Sequence, residues 1–244
     1  IMQDLKIDYR LFLTAIILMG FCSQPLFAQA DRFEAGLAAK ERGHYATALR
    51  SWLPMAEAGN AEAQNNIGHM YEEGFGVSQN YSTAMEWYRR AATGGLAEAE
   101  HNIGLLYNNG YGVAENAIEA VRWFKLAAKK ELRESEYMLG LAYQSGNGSS
   151  LDYAEARRLF LSSAKKNYAA AQMMYAYMLQ AGEGDRSNSL LAYIWGKIAE
   201  KNGLEAAIDV TSIASIQLEA EEIIDAENTI AECIKTAFVV CPEG

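Results

Sequence analysis

Imidazole, thiol and carboxylate groups carry much of protein chemistry, so their spacing comes first. The chain has three histidines, His44, His69 and His101, and none stands at metal-ligand spacing from another. Cys233 and Cys241 lie at the opposite end of the chain from the histidines, which argues against a Cys–His nucleophile. Paired glycines recur, but after helical stretches and outside any strand-to-helix phosphate loop. Among 31 acidic residues no two single themselves out as an acid–base couple. These spacings assign no catalytic residue, no metal ligand and no cofactor. The net charge of −10 argues against nucleic acid, whose binding needs clustered Lys and Arg to displace counterions.

The first thirty residues read as an export signal. Lys6 and Arg10 precede an apolar stretch from Leu11 to Cys22, Pro25 breaks it, and Ala28-Gln29-Ala30 offers a small-residue cleavage site. Cleavage after Ala30 is expected; the alternative, an uncleaved anchor, needs an apolar run of about 20 residues. No membrane span is therefore expected after cleavage, and the location is periplasmic or secreted. Two cysteines remain in such a chain, and a disulfide between Cys233 and Cys241 is expected over two free buried thiols. A continuous helix would hold them about 12 Å apart, against the roughly 6 Å a disulfide tolerates. The last helix must then end near Thr236 to Phe238, with Val239 and Val240 folding back.

The elements that would position any site follow from self-similarity. The chain repeats with a period of 36 residues, in units beginning at Ala61, Ala97, Arg133 and Ala169. Glycine pairs recur at Gly74/Gly76, Gly110/Gly112, Gly146/Gly148 and Gly182/Gly184. Asn80, Asn116, Asp152 and Asn188 share one position and are preferred helix N-caps. Ala84, Ala120, Ala156 and Ala192 share another. Trp87, Trp123 and Trp195 share a third, where Leu159 replaces the aromatic. Ala63, Ile67, Met70 and Tyr71 fall on one helical face, and Ala84, Trp87, Tyr88, Ala91 and Ala92 recur at helical spacing. Each unit therefore reads as two helices joined by a glycine-bearing turn. Gly68, Gly104 and Gly140 fall mid-helix, where glycine costs about 1 kcal/mol relative to alanine; close backbone-to-backbone approach is the expected reason.

These units resemble Sel-one-like repeats, the longer-looped relatives of tetratricopeptide repeats. Ala61-Glu62-Ala63-Gln64, Ile67-Gly68, Tyr71, Gly74-Phe75-Gly76-Val77, Ala84, Trp87 and Ala91-Ala92 carry the resemblance, which spans residues 61–204. It implies an all-α fold, a right-handed α-solenoid of antiparallel helix hairpins. Residues 31–60, with Gly36, Tyr45, Trp52 and Gly59, read as a shortened N-terminal capping hairpin. Residues 205–244 read as an acidic C-terminal cap of two helices, Glu205 to Leu218 and Glu219 to Ala237. The second would be amphipathic through Ile223, Ile224, Ile230 and Ile234. The acidity is the solvated face of a cap or, alternatively, a steering patch for a basic partner.

The resemblance also implies a concave binding face, formed by the fifth, ninth and twelfth positions of each first helix. The fifth reads Asn65, His101, Tyr137, Met173 and the ninth His69, Leu105, Leu141, Tyr177; Gln144 and Gln180 lie beside them. Fifth and ninth positions stack on one helical face. That face turns from polar to apolar and aromatic along the chain, as a peptide groove would require, unless the C-terminal cap covers it. The implied function is an exported, non-catalytic scaffold or adaptor. The alternative is a protein that binds or hydrolyses cell-wall material, since exported relatives have been linked to peptidoglycan and β-lactam recognition.

Overall fold

The computed structural model describes residues 24–243, all-α, with twelve α-helices among them. The chain divides into two compact units between Gly94 and Gly95. The first holds α1 (Gln24–Glu41), α2 (Tyr45–Glu57), α3 (Ala61–Glu73) and α4 (Tyr81–Thr93). The second holds α5 (Ala97–Asn109), α6 (Ala117–Ala128), α7 (Arg133–Ser145), α8 (Tyr153–Lys165), α9 (Ala169–Ala181) and α10 (Ser189–Lys201). A 3-10 turn (Glu205–Ala207), α11 (Ile208–Ser215) and α12 (Ala220–Lys235) complete it. Consecutive helices pair as hairpins, α-solenoid fashion. The expected leader lies outside the described residues as far as residue 23. α1 begins at Gln24, seven residues before Asp31.

Each repeat is punctuated identically. The first helix ends on a left-handed glycine: φ is 73° at Gly74, 68° at Gly110, 72° at Gly146 and 73° at Gly182, a region that costs a side chain. The turn is closed by the N–H of Asn80, Asn116, Asp152 and Asn188, donating to the carbonyls of Tyr71, Tyr107, Tyr143 and Leu179 at 2.8–2.9 Å. The same four side chains cap the second helix by accepting from the N–H three residues on. Ser149, a departure within the third turn, donates its hydroxyl to the Ala142 carbonyl.

The mid-helix glycines serve a different purpose from the one expected. A Cβ on Gly68 would meet the ring of Tyr88 at 2.7 Å, on Gly104 the ring of Phe124 at 2.5 Å, and on Gly140 the ring of Phe160 at 2.6 Å. Glycine is thus a notch in the first helix that receives the ring of the second. Gly36 and Trp52 repeat the arrangement in the α1–α2 hairpin, sixteen residues apart instead of twenty because the intervening turn is four residues shorter. Backbone-to-backbone contact between successive hairpins belongs to the second turn glycine instead. A Cβ on Gly148 would strike the Ala117 carbonyl group, and one on Gly184 would lie 2.7 Å from the Tyr153 oxygen.

A buried polar ladder ties neighbouring segments. The fourth repeat position reads Gln64, Glu100, Glu136 and Gln172, all nearly inaccessible. Glu100 accepts from Lys130 at 2.9 Å and Glu136 from Lys166 at 2.7 Å, in each case thirty residues ahead. The uncharged counterparts donate to carbonyls, Gln64 to Ala56 and Gln172 to Ala164.

At the C-terminus, Glu219 and Glu222 form a reciprocal capping box at the start of α12. Ala226, Ile230 and Cys233 form its buried stripe. Ile224 is 64% exposed and Ile234 40%, so they do not belong to the apolar face read from sequence. The helix stops at Lys235, Ala237 and Phe238 take φ of 49° and 68°, and the chain folds back. This brings Cys241 to a Cα–Cα distance of 4.9 Å from Cys233, and the two form a disulfide.

Candidate functional site

The face expected to bind a partner is built from first helices, and its members sit in distinct surroundings. In the first unit, Asn65 and His69 are half-buried on α3. The His69 ring lies 5.9 Å from that of Phe75, and burial, with Lys40 adding to it, lowers its pKa. At the twelfth position, Glu72 accepts from the Tyr88 hydroxyl at 2.5 Å, as the Tyr88 ring crosses the Gly68 notch.

In the second unit the fifth position is occupied by packing. His101 Nδ1 lies 2.8 Å from Ser135 Oγ, and its ring rests against Phe124. Tyr137 is wedged between Phe160 and Tyr168, with centroids at 5.8 and 5.3 Å. Leu105 packs on the core around Phe124, Leu139 and Leu159. These side chains join hairpin to hairpin.

Burial lowers the His101 pKa, while Glu134 and Glu98 pull weakly the other way. The folded state therefore prefers neutral imidazole. As pH falls below about 6.5 the unfolded chain takes up a proton that the folded chain resists, so stability is lost on acidification. His101→Asn keeps a polar group for Ser135 but cannot titrate. Urea midpoints at pH 7.5 and pH 5.0 should therefore differ less in the variant than in the parent; an equal or larger drop would contradict this assignment.

The later residues open outward. Met173, Tyr177 and Gln180 of α9 form one wall of an apolar groove of 440 Å³, and Asp209, Val210 and Ile213 of α11 form the other. Tyr177 is 49% exposed and also lines a shallower hollow of 470 Å³ with Leu141, Gln144, Tyr153 and Glu183. There Gln144 donates to Glu183 at 2.8 Å. Thus the structure brings Leu141, Gln144, Met173, Tyr177 and Gln180 around one ring. The C-terminal segment builds a wall here and leaves Tyr177 and Ile213 exposed.

That second wall was not read from the sequence, although Gly196 was a signal for it. The ring position held by Tyr88, Phe124 and Phe160 carries glycine in the fourth repeat. The space a Cβ would take at Gly196 is filled by the Thr211 methyl group, with Val210 at 3.3 Å. A glycine replacing an aromatic thus admits α11 against α10. Among the described residues, no three His, Cys, Asp or Glu side chains gather as a metal-holding group, and no helix is long and apolar enough to cross a membrane.

The Sel1 repeat model matches residues 61–96, 97–132, 133–168 and 169–204. No curated protein matches the chain. Among solved structures it is similar to a Sel1 repeat protein from Oxalobacter formigenes, with 29% identity over 80% of this chain and 82% of that one, and a TM-score of 0.67. It also shares its fold with c5321, a protective antigen present in uropathogenic Escherichia coli strains, at 22% identity and a TM-score of 0.54. That match covers 81% of this chain and 52% of the antigen. A further match is a Sel1 repeat protein from Klebsiella pneumoniae, at 18% identity over 77% of this chain and 93% of that one, with a TM-score of 0.52.

Proposed function

Because the chain belongs to the Sel1 repeat family, we propose that it is an exported, non-catalytic adaptor that docks a protein or peptide partner beside Tyr177. The observation that carries this reading is a half-exposed aromatic ring standing between two adjoining hollows, one of them almost wholly apolar. Concave, mostly apolar surfaces with a few polar groups at their edge are the usual form of a binding site. The groove suits an amphipathic segment, whose apolar side chains would rest on Met173, Tyr177, Val210 and Ile213. Gln144, Gln180 and Asp209 would set its register through polar contacts. Walls on helices already fixed in hairpins need little ordering on binding. The leader-like N-terminus and the disulfide support export to an oxidising compartment.

A photoreactive residue at position 206, on the rim of the groove, should capture one discrete partner from envelope extract, whereas the same residue at exposed position 118 should not. Tyr177→Ala should weaken capture by about tenfold or more, as an anchor aromatic does. Its effect on stability should stay near 0.5 kcal/mol, since the ring is half in solvent. Equal capture from both positions, or unchanged capture by Tyr177→Ala, would refute the groove. Export is tested by the N-terminus of the secreted chain, expected at Asp31.

A further inference from the structure

The surface around Tyr177 has a sign of charge as well as a shape. α9 carries no charged residue along its length. Among the described residues, Asp209 is the only charged side chain lining the apolar groove, and Glu183 the only one lining the hollow across the ring. Two other hollows of this unit are lined instead by Lys125, Lys129, Arg157 and Arg158. Neither Asp209 nor Glu183 joins an ion pair among the described residues, whereas Glu100, Glu136, Glu155 and Glu200 each hold a lysine or arginine.

Glu183 stands where the fold itself disfavours an anion. It follows Gly182, which ends α9, and the carbonyl end of a helix attracts cations. The same repeat position holds Phe75, Tyr111 and Asn147, none of them charged. Arg186, close by in sequence, lines neither hollow. Asp209 lies in the first turn of α11, which suits a carboxylate. Around it, residues 202–234 hold eight carboxylates and no lysine or arginine to offset them.

We infer that the partner segment is basic. Its apolar side chains fill the groove, while one lysine or arginine meets Asp209 and another, across the ring, meets Glu183. This occupant presupposes docking in the groove beside Tyr177 and adds the sign of its charge. A segment with acids at those places would set like charges together and be rejected. The same repulsion disfavours a second copy of this chain, whose net charge is −10.

The test is a titration of the full chain, methyl-labelled at isoleucine, with three blocked peptides. They share one leucine-bearing amphipathic core and differ only in flanks of lysine, glutamine or glutamate. The lysine peptide should shift the Ile213 methyl groups saturably and bind about fivefold more tightly than the glutamine peptide, as two exposed ion pairs allow. The glutamate peptide should bind most weakly. Asp209→Asn with Glu183→Gln should erase the lysine preference, whereas Glu115→Gln, which removes an exposed charge at another turn, should leave it intact. Should the double variant fail to fold, the peptide ranking on the parent protein decides. Equal binding of the lysine and glutamine peptides, an equal loss from Glu115→Gln, Ile213 shifts on concentrating the protein alone, or no shift at Ile213 with any peptide would each overturn the inference. Capture from position 206 separates the two readings. If it persists while the peptides fail, the basic occupant falls and the groove stands; if capture fails as well, both fall.

Discussion

Gly140→Ala is expected to destabilise the second unit by about 1–3 kcal/mol, the cost of overpacking a close-packed core. Helix propensity alone gives the opposite sign, since alanine in a helix interior is favoured over glycine by about 1 kcal/mol. The structure decides between them. A methyl group at position 140 would sit 2.6 Å from the Phe160 ring, which is fully buried and has nowhere to retreat. Gly104→Ala should behave likewise against Phe124, whereas the leucines and alanines around these notches tolerate volume-conserving exchange. Chemical denaturation followed by far-UV circular dichroism measures the effect, and a variant more stable than the parent would show that the notch is idle.

The second large effect is expected at the C-terminal staple. Replacing Cys233 and Cys241 by alanine should cost about 2–3 kcal/mol, the loop-closure contribution for so short a crosslink. The disulfide holds the returning segment on which Phe238 is buried and from which the Pro242 carbonyl receives the Trp195 indole N–H. Without it, the end of α12 should fray first. Hydrogen exchange would then accelerate at Ile230 to Lys235 while α5 to α7 keep their protection. Uniform acceleration throughout the unit, or none, would contradict this picture.

Much of the fold was legible because it repeats. The glycine pairs, the Asn and Asp caps and the alanine positions coincide every 36 residues, and each has a local cause: a left-handed turn, an orphan N–H, a tight contact. The folding-back after α12 followed from the reach of a disulfide. Less legible was what the mid-helix glycines touch, because the partner ring lies twenty residues on and a helical periodicity does not point to it. The Glu100–Lys130 and Glu136–Lys166 pairs were overlooked for the same reason, although their common separation was there to be found. α12 was misjudged at Ile224 and Ile234: Ile224 lies about 100° round the helix from Ile223, Ile234 stands in the last turn, and the buried stripe runs through Ala226, Ile230 and Cys233.

The candidate groove was legible only in half. Repeat positions placed Met173, Tyr177 and Gln180 on one face of α9, but the opposing wall comes from a segment outside the period. Only Gly196, an aromatic position turned glycine, announced it. Tyr137 and His101 share the repeat position of Met173 yet pack between hairpins, because Phe160 and Tyr168, or Ser135 and Phe124, stand opposite them. Equal positions in a repeat thus acquire different surroundings as their neighbours change.

The account rests on a ring seated in a glycine notch as the joint of the first four hairpins, and a double-mutant cycle between positions 140 and 160 tests it most directly. Phe160→Leu withdraws the ring that Gly140→Ala would strike; the fourth repeat likewise pairs an alanine, Ala176, with a ringless residue, Gly196. The two substitutions together should be less damaging than their sum by about 1 kcal/mol or more, the range expected for residues in contact. Additivity within about 0.5 kcal/mol would show that ring and notch act independently, and the joint would have to be sought elsewhere.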